Sequence, residues 1–358
     1  MKQIDLYIIR KFLLTFFYAI GLIILVVIIF DISEKLDDFI ESDAPISAIV
    51  FDYYLNFVPF FVNLFSSLFT FIAVIFFTSK MAANTEIVAI LSSGMSFNRL
   101  LVPYMAGALV ITSMSLYLNN FVIPHTNKAR LEFEETFIRH KFRNIDRNIH
   151  RQIEPNTFVY FDRYDNITGR GYKFAIERFE ENELKYKLMS DTISWDSTMK
   201  KWHISNYMIR TMNGPEEELV SGNGIDTTIN FHPNELGKRI NNVQTMNYYE
   251  LTDYIKKEKL KGSEKTMFYE IEHHKRFSVP FATFILTLIG VSLASRKVRG
   301  GIGVHITFGL VVSFAYILFM QVSLTFATNA NLSPMLAMWI PNILFGILAL
   351  YLYKIAPK

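Results

Sequence analysis

The sequence predicts a membrane α-helical protein of six transmembrane helices, arranged three plus three around an inserted β-rich domain. Three observations carry this. Six apolar runs are each long enough to cross a hydrocarbon core of ~30 Å, which takes roughly 20 helical residues. Charged residues crowd between Pro124 and Arg276, although charged side chains are only 19% of the 358 residues. Within that charged stretch, short β-like runs alternate with turn signals.

The runs lie near 10–32, 55–79, 98–123, 277–296, 303–327 and 335–355. A lipid-exposed strand would leave backbone groups unpaired, so these segments are read as helices. Lys2, Arg10 and Lys11 precede the first run in the manner of a signal peptide. The run is of bilayer-spanning length, however, and is followed by acidic residues rather than a small-residue cleavage site, which predicts a retained span. The domain boundaries expected are 1–124 for the first three helices, 125–270 for the insert with its flanking helices, and 271–358 for the last three.

Basic residues in short loops set the orientation. With the N-terminus inside, the inner segments hold Lys2, Arg10, Lys11, Lys80, Arg99, Arg296, Lys297, Arg299, Lys354 and Lys358, against only Asp5 and Glu86. The loop 31–47 has the reverse balance, with Lys35 as its one base among Asp31, Glu34, Asp37, Asp38, Glu41 and Asp43. Both termini are therefore expected on the cytoplasmic side and the insert on the far side.

Strand-like runs at 158–161, 172–176, 184–189, 192–195, 202–204 and 208–211 suggest a sandwich or β-jelly-roll domain. Residues 125–150 and 248–261 read as helical, the latter through Leu251, Tyr254 and Ile255. By alternation, Phe158, Tyr160, Phe174 and Ile176 are candidates for an apolar lining, with ordinary core as the alternative.

Several chemistries are absent. The chain has no Cys, which excludes disulfides, thiolate zinc sites and thiol catalysis. No G-x-x-x-x-G-K-[ST] loop occurs, and the Gly-rich 299–303 lacks its Lys-Ser/Thr ending, so any ATP hydrolysis must belong to a partner. His273 and His274 are adjacent rather than at i,i+4, and no G-x-S-x-G elbow is present. The middles of the spans lack ionisable residues, which disfavours an ion-coupled carrier.

The segment 83–96, between the second and third spans, has the parts of a short amphipathic helix. Asn84 or Thr85 can cap it, and Glu86 suits the positive end of its dipole. Ile87, Ile90 and Leu91 share a face, and Gly94 can close the helix in a left-handed conformation. Such a helix can insert into a groove on a cytoplasmic partner, or serve only as a connector. Two basic groups stand out elsewhere. Arg139, Lys141, Arg143, Arg147, His150 and Arg151 read either as a solvated face or as an anion site. Lys275 and Arg276, at the outer end of the fourth span, read either as contacts to an anionic lipid head or as interfacial anchors.

On these residues the chain resembles the LptF/LptG (YjgP/YjgQ) family of lipopolysaccharide export permeases. NTEIVAILSSGMS at 84–96 is similar to the coupling-helix motif of that family. DISEKLDDF at 31–39, residues 58–61, Trp195 and Trp202, YELTDYIKK at 249–257, Lys275, Pro280, RKVRGGIG at 296–303, Gly309, Tyr316, Gln321 and Pro341 follow in the family's order. The resemblance covers essentially the whole chain. It implies a subunit of an ATP-driven exporter in the bacterial inner membrane, paired with an LptF- or LptG-like subunit above an LptB-like ATPase dimer. The β-jelly-roll domain would then be periplasmic and pass lipopolysaccharide to LptC-like and LptA-like proteins.

ATP would be bound by the partner, with no cofactor held by this chain and no nucleic acid involved. Glu86, Ile87, Ile90 and Leu91 would dock into the ATPase, with Gly94 closing the helix. Lys35, Lys275 and Arg276 would meet lipid phosphates, and Phe158, Tyr160, Phe174 and Ile176 would line the acyl-chain route. A permease for another envelope lipid or lipoprotein, or a membrane receptor without transport, are the alternatives.

Overall fold

A computed structural model of the chain describes residues 3–138, 147–181, 183–214, 216–233, 240–263, 265–296, 301–330 and 332–356. The chain divides into two compact units. One comprises Met1–Ile138, Val243–Tyr249 and Met267–Lys358, and the other Arg139–Asn242 and Glu250–Thr266.

The first unit is helical. Its long apolar helices are α1 (Gln3–Glu41), α2 (Ile46–Ala83), α4 (Phe97–Ile138), α6 (Thr266–Ala294), α7 (Gly301–Asn329) and α8 (Pro334–Ile355). The short α3 (Glu86–Ser92) joins α2 to α4. The helix α5 (Tyr248–Leu260) precedes α6 in the chain and belongs, from Glu250 on, to the second unit. The helices overrun the apolar windows, because α1 at 39 residues is roughly 58 Å long and exceeds any hydrocarbon core. Helix α4 contains a π-helical stretch at Leu118–Val122. Pro124 follows it; lacking an N–H, it cannot pair with the Asn120 carbonyl, and the ladder resets by widening.

Helix α1 buries Ile8, Phe12, Phe16, Ile20 and Ile24 at four-residue spacing, against Phe77, Met81, Leu100 and Tyr104. Helix α6 is the most enclosed span, with 61% of its apolar window buried against 22% for α1 and α7. Its backbone explains part of that position. Pro280 leaves the Arg276 carbonyl without its helical donor, and Asn119 Nδ2 fills the gap at 3.4 Å. Ser67 Oγ donates to the Val279 carbonyl (3.1 Å), Thr112 Oγ1 to that of Pro280 (3.3 Å) and Asn342 Nδ2 to that of Ser278 (2.7 Å). Helices α2, α4 and α8 thus attach to one turn of α6, where hydrocarbon offers unpaired carbonyls no substitute.

The second unit is β-rich. Its six strands are β1 (Arg147–Glu154), β2 (Thr157–Asp165), β3 (Arg170–Glu180), β4 (Glu183–Asp196), β5 (Lys201–Asn213) and β6 (Glu216–Thr227). They form one antiparallel sheet in sequence order, a meander. The β domain expected between the third and fourth spans is in place; within its sheet, consecutive short turns pair each strand with its chain neighbour, with no Greek-key crossover among the described residues. One such turn is set by Asp196, whose Oδ1 accepts from the backbone N–H groups of Thr198 (2.7 Å) and Met199 (3.1 Å). Those two bonds hold its carboxyl below the usual range.

Two further expectations change. Residues 184–189 and 192–195 belong to one strand, as do 202–204 and 208–211, while β1 and β6 carry no clear alternation and were not anticipated. The cause is a crease across the sheet. Asn148, Lys173 and Asn206 adopt left-handed φ of 53°, 47° and 50° on alternate strands. They share one row, bracketed by the pairs Arg147↔Arg163 and Ile149↔Phe161, Arg163↔Tyr172 and Tyr160↔Ala175, and Thr192↔Ser205 and Ser190↔Tyr207. Side-chain alternation slips by one residue at this row, so Phe161 and Tyr164, or Ile204 and Ile209, bury on the same face.

That face holds the core of the unit, with Val159, Phe161, Phe174, Leu188, Ile193 and Trp202 packed under Phe231. Burial pushes the Tyr164 phenol up to about 12, with the charge of Asp165 adding to the effect. Gly171 sits inside this core, where an added Cβ would meet Phe161 Cδ1 at 2.6 Å and Ile193 Cγ2 at 2.8 Å. Gly171→Ala is therefore expected to destabilise the β unit by about 1–3 kcal/mol through overpacking. Earlier proteolysis of the full-length variant between residues 147 and 232 would report it.

Candidate functional site

The connector between α2 and α4 carries the first candidate site. Thr85 is left-handed (φ 62°), a costly conformation for a β-branched residue. Neither Asn84 nor Thr85 caps α3, which corrects the sequence reading. The Thr85 hydroxyl donates to the Asn84 carbonyl at 2.6 Å, and Asn84 Nδ2 donates to Glu86 Oε1 at 3.3 Å. The helix is accordingly shorter than 83–96. At its end, Gly94 adopts φ 88° and its N–H donates to the Leu91 carbonyl at 3.1 Å.

The faces of α3 are also redistributed. Ile87 is 1% exposed and packs into the core shared with α1, α2 and α4, while Ile90 and Leu91 are half-buried against that core. The assignment of Ile87 to a docking face is corrected, because a side chain already enclosed by its own chain has no surface to offer. Val88, 54% exposed, with Ala89 and Ser92, forms the outward surface.

Glu86 is engaged within the chain. Its Oε2 accepts from the Tyr7 hydroxyl of α1 at 3.0 Å, and Lys11 Nζ donates to that same hydroxyl at 2.6 Å. One turn away, Arg99 forms a bidentate pair with Asp5, both contacts at 2.7 Å. Tyr7 was not anticipated as a functional residue. Its spacing of four from Lys11 is legible in the chain, but its partner lies 79 positions away.

The second candidate site lies at the opposite helix ends. Lys275 is exposed and makes no hydrogen bond or ion pair among the described residues. Arg276 is 3% exposed. Its guanidinium donates to the carbonyls of Met246 (2.8 Å) and Val243 (3.0 Å) and lies 3.5 Å from Glu272. The pairing of Lys275 with Arg276 as lipid contacts is corrected: adjacent helical positions diverge, and Arg276 is spent on the backbone carbonyls of Val243 and Met246. Lys275 instead borders a polar cleft with Asn63, Asn119, Asn127, Gln244 and Glu272.

Lys35 is likewise committed. It pairs with Asp31 at 2.7 Å, hydrogen-bonds the Tyr53 hydroxyl, and stands 4.7 Å above the Tyr53 ring. Tyr54 donates to the other Asp31 oxygen at 3.1 Å, and Phe39, Tyr53, Phe57 and Phe133 pack beneath. The acidic neighbourhood of Lys35 is in this respect a built ion pair.

In the β unit, Phe174 and Ile176 lie on the core face, whereas Phe158 and Tyr160 lie on the opposite one. The four do not form a common lining, which corrects the alternation argument. Phe174 is plain core, 5.0 Å from Phe161 between ring centres. Arg139, Lys141 and Arg143 lie outside the described residues, and His150 stacks near Tyr160 at 4.7 Å. His273 packs against Tyr248, and no cluster of three potential metal ligands occurs among the described residues.

Six long apolar helices, a β unit between the third and fourth, and a short helix between the second and third are thus in place. The family described as lipopolysaccharide export system permease LptF/LptG matches residues 6–355. The chain belongs to the LptF/LptG family. No curated protein matches it. Membership identifies this LptF/LptG protein as a multi-pass membrane protein of a lipopolysaccharide export permease family, and transport rather than catalysis is the activity of that family.

Proposed function

We propose that this LptF/LptG protein is the permease subunit of an inner-membrane exporter that extracts lipopolysaccharide, powered by a separate LptB-like ATPase docked on α3. Both termini are cytoplasmic and the β unit is periplasmic, in keeping with the basic residues of the inner segments. A second LptF- or LptG-like subunit completes the pathway, and LptC-like and LptA-like proteins receive the lipid. Moving a lipid with tens of methylenes out of hydrocarbon costs ~0.8 kcal/mol per CH₂, far above thermal energy. The chain carries no phosphate-binding loop, so the energy must arrive through a protein contact.

The observation that carries this reading is the outward face of α3, where Val88 is exposed on a helix whose other side is anchored in the bundle. Of Lys35, Lys275 and Arg276, Lys275 is the one with no partner among the described residues and so available to a lipid phosphate. Val88→Lys is expected to cut co-purification of the ATPase about tenfold, as loss of a small apolar anchor does, without lowering membrane yield. Undiminished ATPase recovery with that variant refutes docking on α3.

A further inference from the structure

Glu86 belongs to the docking helix α3, and both of its carboxylate oxygens accept hydrogen bonds from its own chain. Oε1 accepts from Asn84 Nδ2 (3.3 Å) and Oε2 from the Tyr7 hydroxyl (3.0 Å). Tyr7 in turn accepts from Lys11 Nζ (2.6 Å), whose ammonium also lies 4.5 Å over the Tyr7 ring. The result is a chain of three groups, ammonium to phenol to carboxylate, that joins α3 to the cytoplasmic end of α1.

The rest of that region is tied in the same direction. Ile87, the next residue of α3, packs in one core with Ile8, Phe12 and Phe16 of α1. Asp5 of α1 holds Arg99, in the first turn of α4, by two charge-assisted bonds of 2.7 Å. Asp5 and Tyr7 therefore bind the two ends of the α3 connector to a single turn of α1. The strained Thr85, left-handed and β-branched, immediately precedes the first of these anchors. A load applied to the outer face of α3 meets α1 through short polar bonds and a buried isoleucine, rather than through a slack loop. Helix α1 is also, with α7, one of the two least enclosed spans, with 22% of its apolar window buried.

We propose that Tyr7 is a positioning residue for energy coupling, whose hydroxyl links the Glu86 carboxylate of α3 to α1 so that displacement of α3 moves that span. Glu86, partly exposed, keeps acceptor capacity beyond these two bonds, so the link to α1 and a partner contact are compatible. This inference rests on α3 being the ATPase-docking helix, and the two can fail separately.

The test uses the full-length chain reconstituted in liposomes with its partner subunits, measuring both ATP hydrolysis and lipopolysaccharide released. Tyr7→Phe keeps the ring and removes only the hydroxyl. It is expected to leave the ATPase bound and hydrolysing while lipid released per ATP falls roughly threefold to tenfold, the size of one ordinary solvent-accessible hydrogen bond. A purely structural role for Tyr7 would instead lower complex yield and leave that ratio intact. Glu86→Met combined with Tyr7→Phe is expected to be no worse than the more impaired single variant, because both remove the same hydrogen bond. Unchanged lipid per ATP in Tyr7→Phe, or fully additive losses in the pair, overturns the proposal. If Tyr7→Phe fails to assemble, Lys11→Met removes the donor that fixes the hydroxyl and is read by the same ratio. If Val88→Lys leaves the ATPase bound, docking on α3 fails. If it releases the ATPase while Tyr7→Phe transports normally per ATP, only the link to α1 fails.

Discussion

Arg276→Gln is expected to destabilise the helical unit by about 3–5 kcal/mol, the cost of breaking a buried, hydrogen-bonded ion pair from one side. The guanidinium is 3% exposed and serves two backbone carbonyls and Glu272 at once. A Gln amide has two donors and cannot span the same three acceptors. The carbonyls of Val243 and Met246, and the Glu272 carboxylate, would lose partners in a site with little water. Thermal unfolding of the detergent-solubilised chain should show a clear drop, and Arg276→Lys should recover little of it, since a point charge does not reproduce the planar fork. The neighbouring Lys275→Gln is expected to leave stability unchanged, because its ammonium is exposed and has no partner among the described residues. Equal losses for the two would refute the division of roles between them.

Trp202→Ala is expected to cost the β unit a further about 3–5 kcal/mol, as truncation of a large buried aromatic does. Trp202 is fully buried, its ring near Trp195, Tyr164 and Phe231, and its indole N–H donates to the Phe231 carbonyl at 2.8 Å. It therefore fastens the segment after β6 over the core face of the sheet. Trp202→Phe should retain most of the packing and lose the hydrogen bond, giving a smaller loss. Rapid proteolytic cleavage between residues 227 and 233 in the Ala variant, and slower cleavage in the Phe variant, would separate the two contributions. Identical cleavage in both would assign the fastening to other contacts.

These two residues show where sequence reasoning stopped. Trp202 was visible as one of a pair of tryptophans, and its place in a strand was legible from the run 202–204. Its partner Phe231 lies 29 positions on, and nothing local announces that contact. In the sequence Arg276 reads either as a lipid contact or as an interfacial anchor, because a basic residue at the outer end of a span ordinarily lies among head groups. Its carbonyl acceptors come from residues 30 and 33 positions earlier, a pairing that no periodicity encodes.

The crease in the sheet shows a different failure. A period of two is the signature of a strand, and a row of left-handed residues shifts that phase by one. Each half of β4 and β5 then reads as a separate short strand, although the backbone pairing runs through. The split at 189–192 and at 204–208 was thus a real feature of the sequence, recording the crease rather than a turn.

The six spans, the β-rich insert between the third and fourth, the connecting helix closed by Gly94, and the family are all legible along the chain. The reason is physical: apolar length demanded by a bilayer and turn chemistry demanded by a left-handed residue are local properties that add along the chain. Only the tertiary structure decided which side chains remain free to act. Ile87 and Val88 are neighbours of similar apolarity, and the packing of α1, α2 and α4 alone buries one and exposes the other. Lys35, Arg276 and Glu86 are charged residues whose partners sit on other elements or turns, so their availability depends on contacts that form only when the helices assemble.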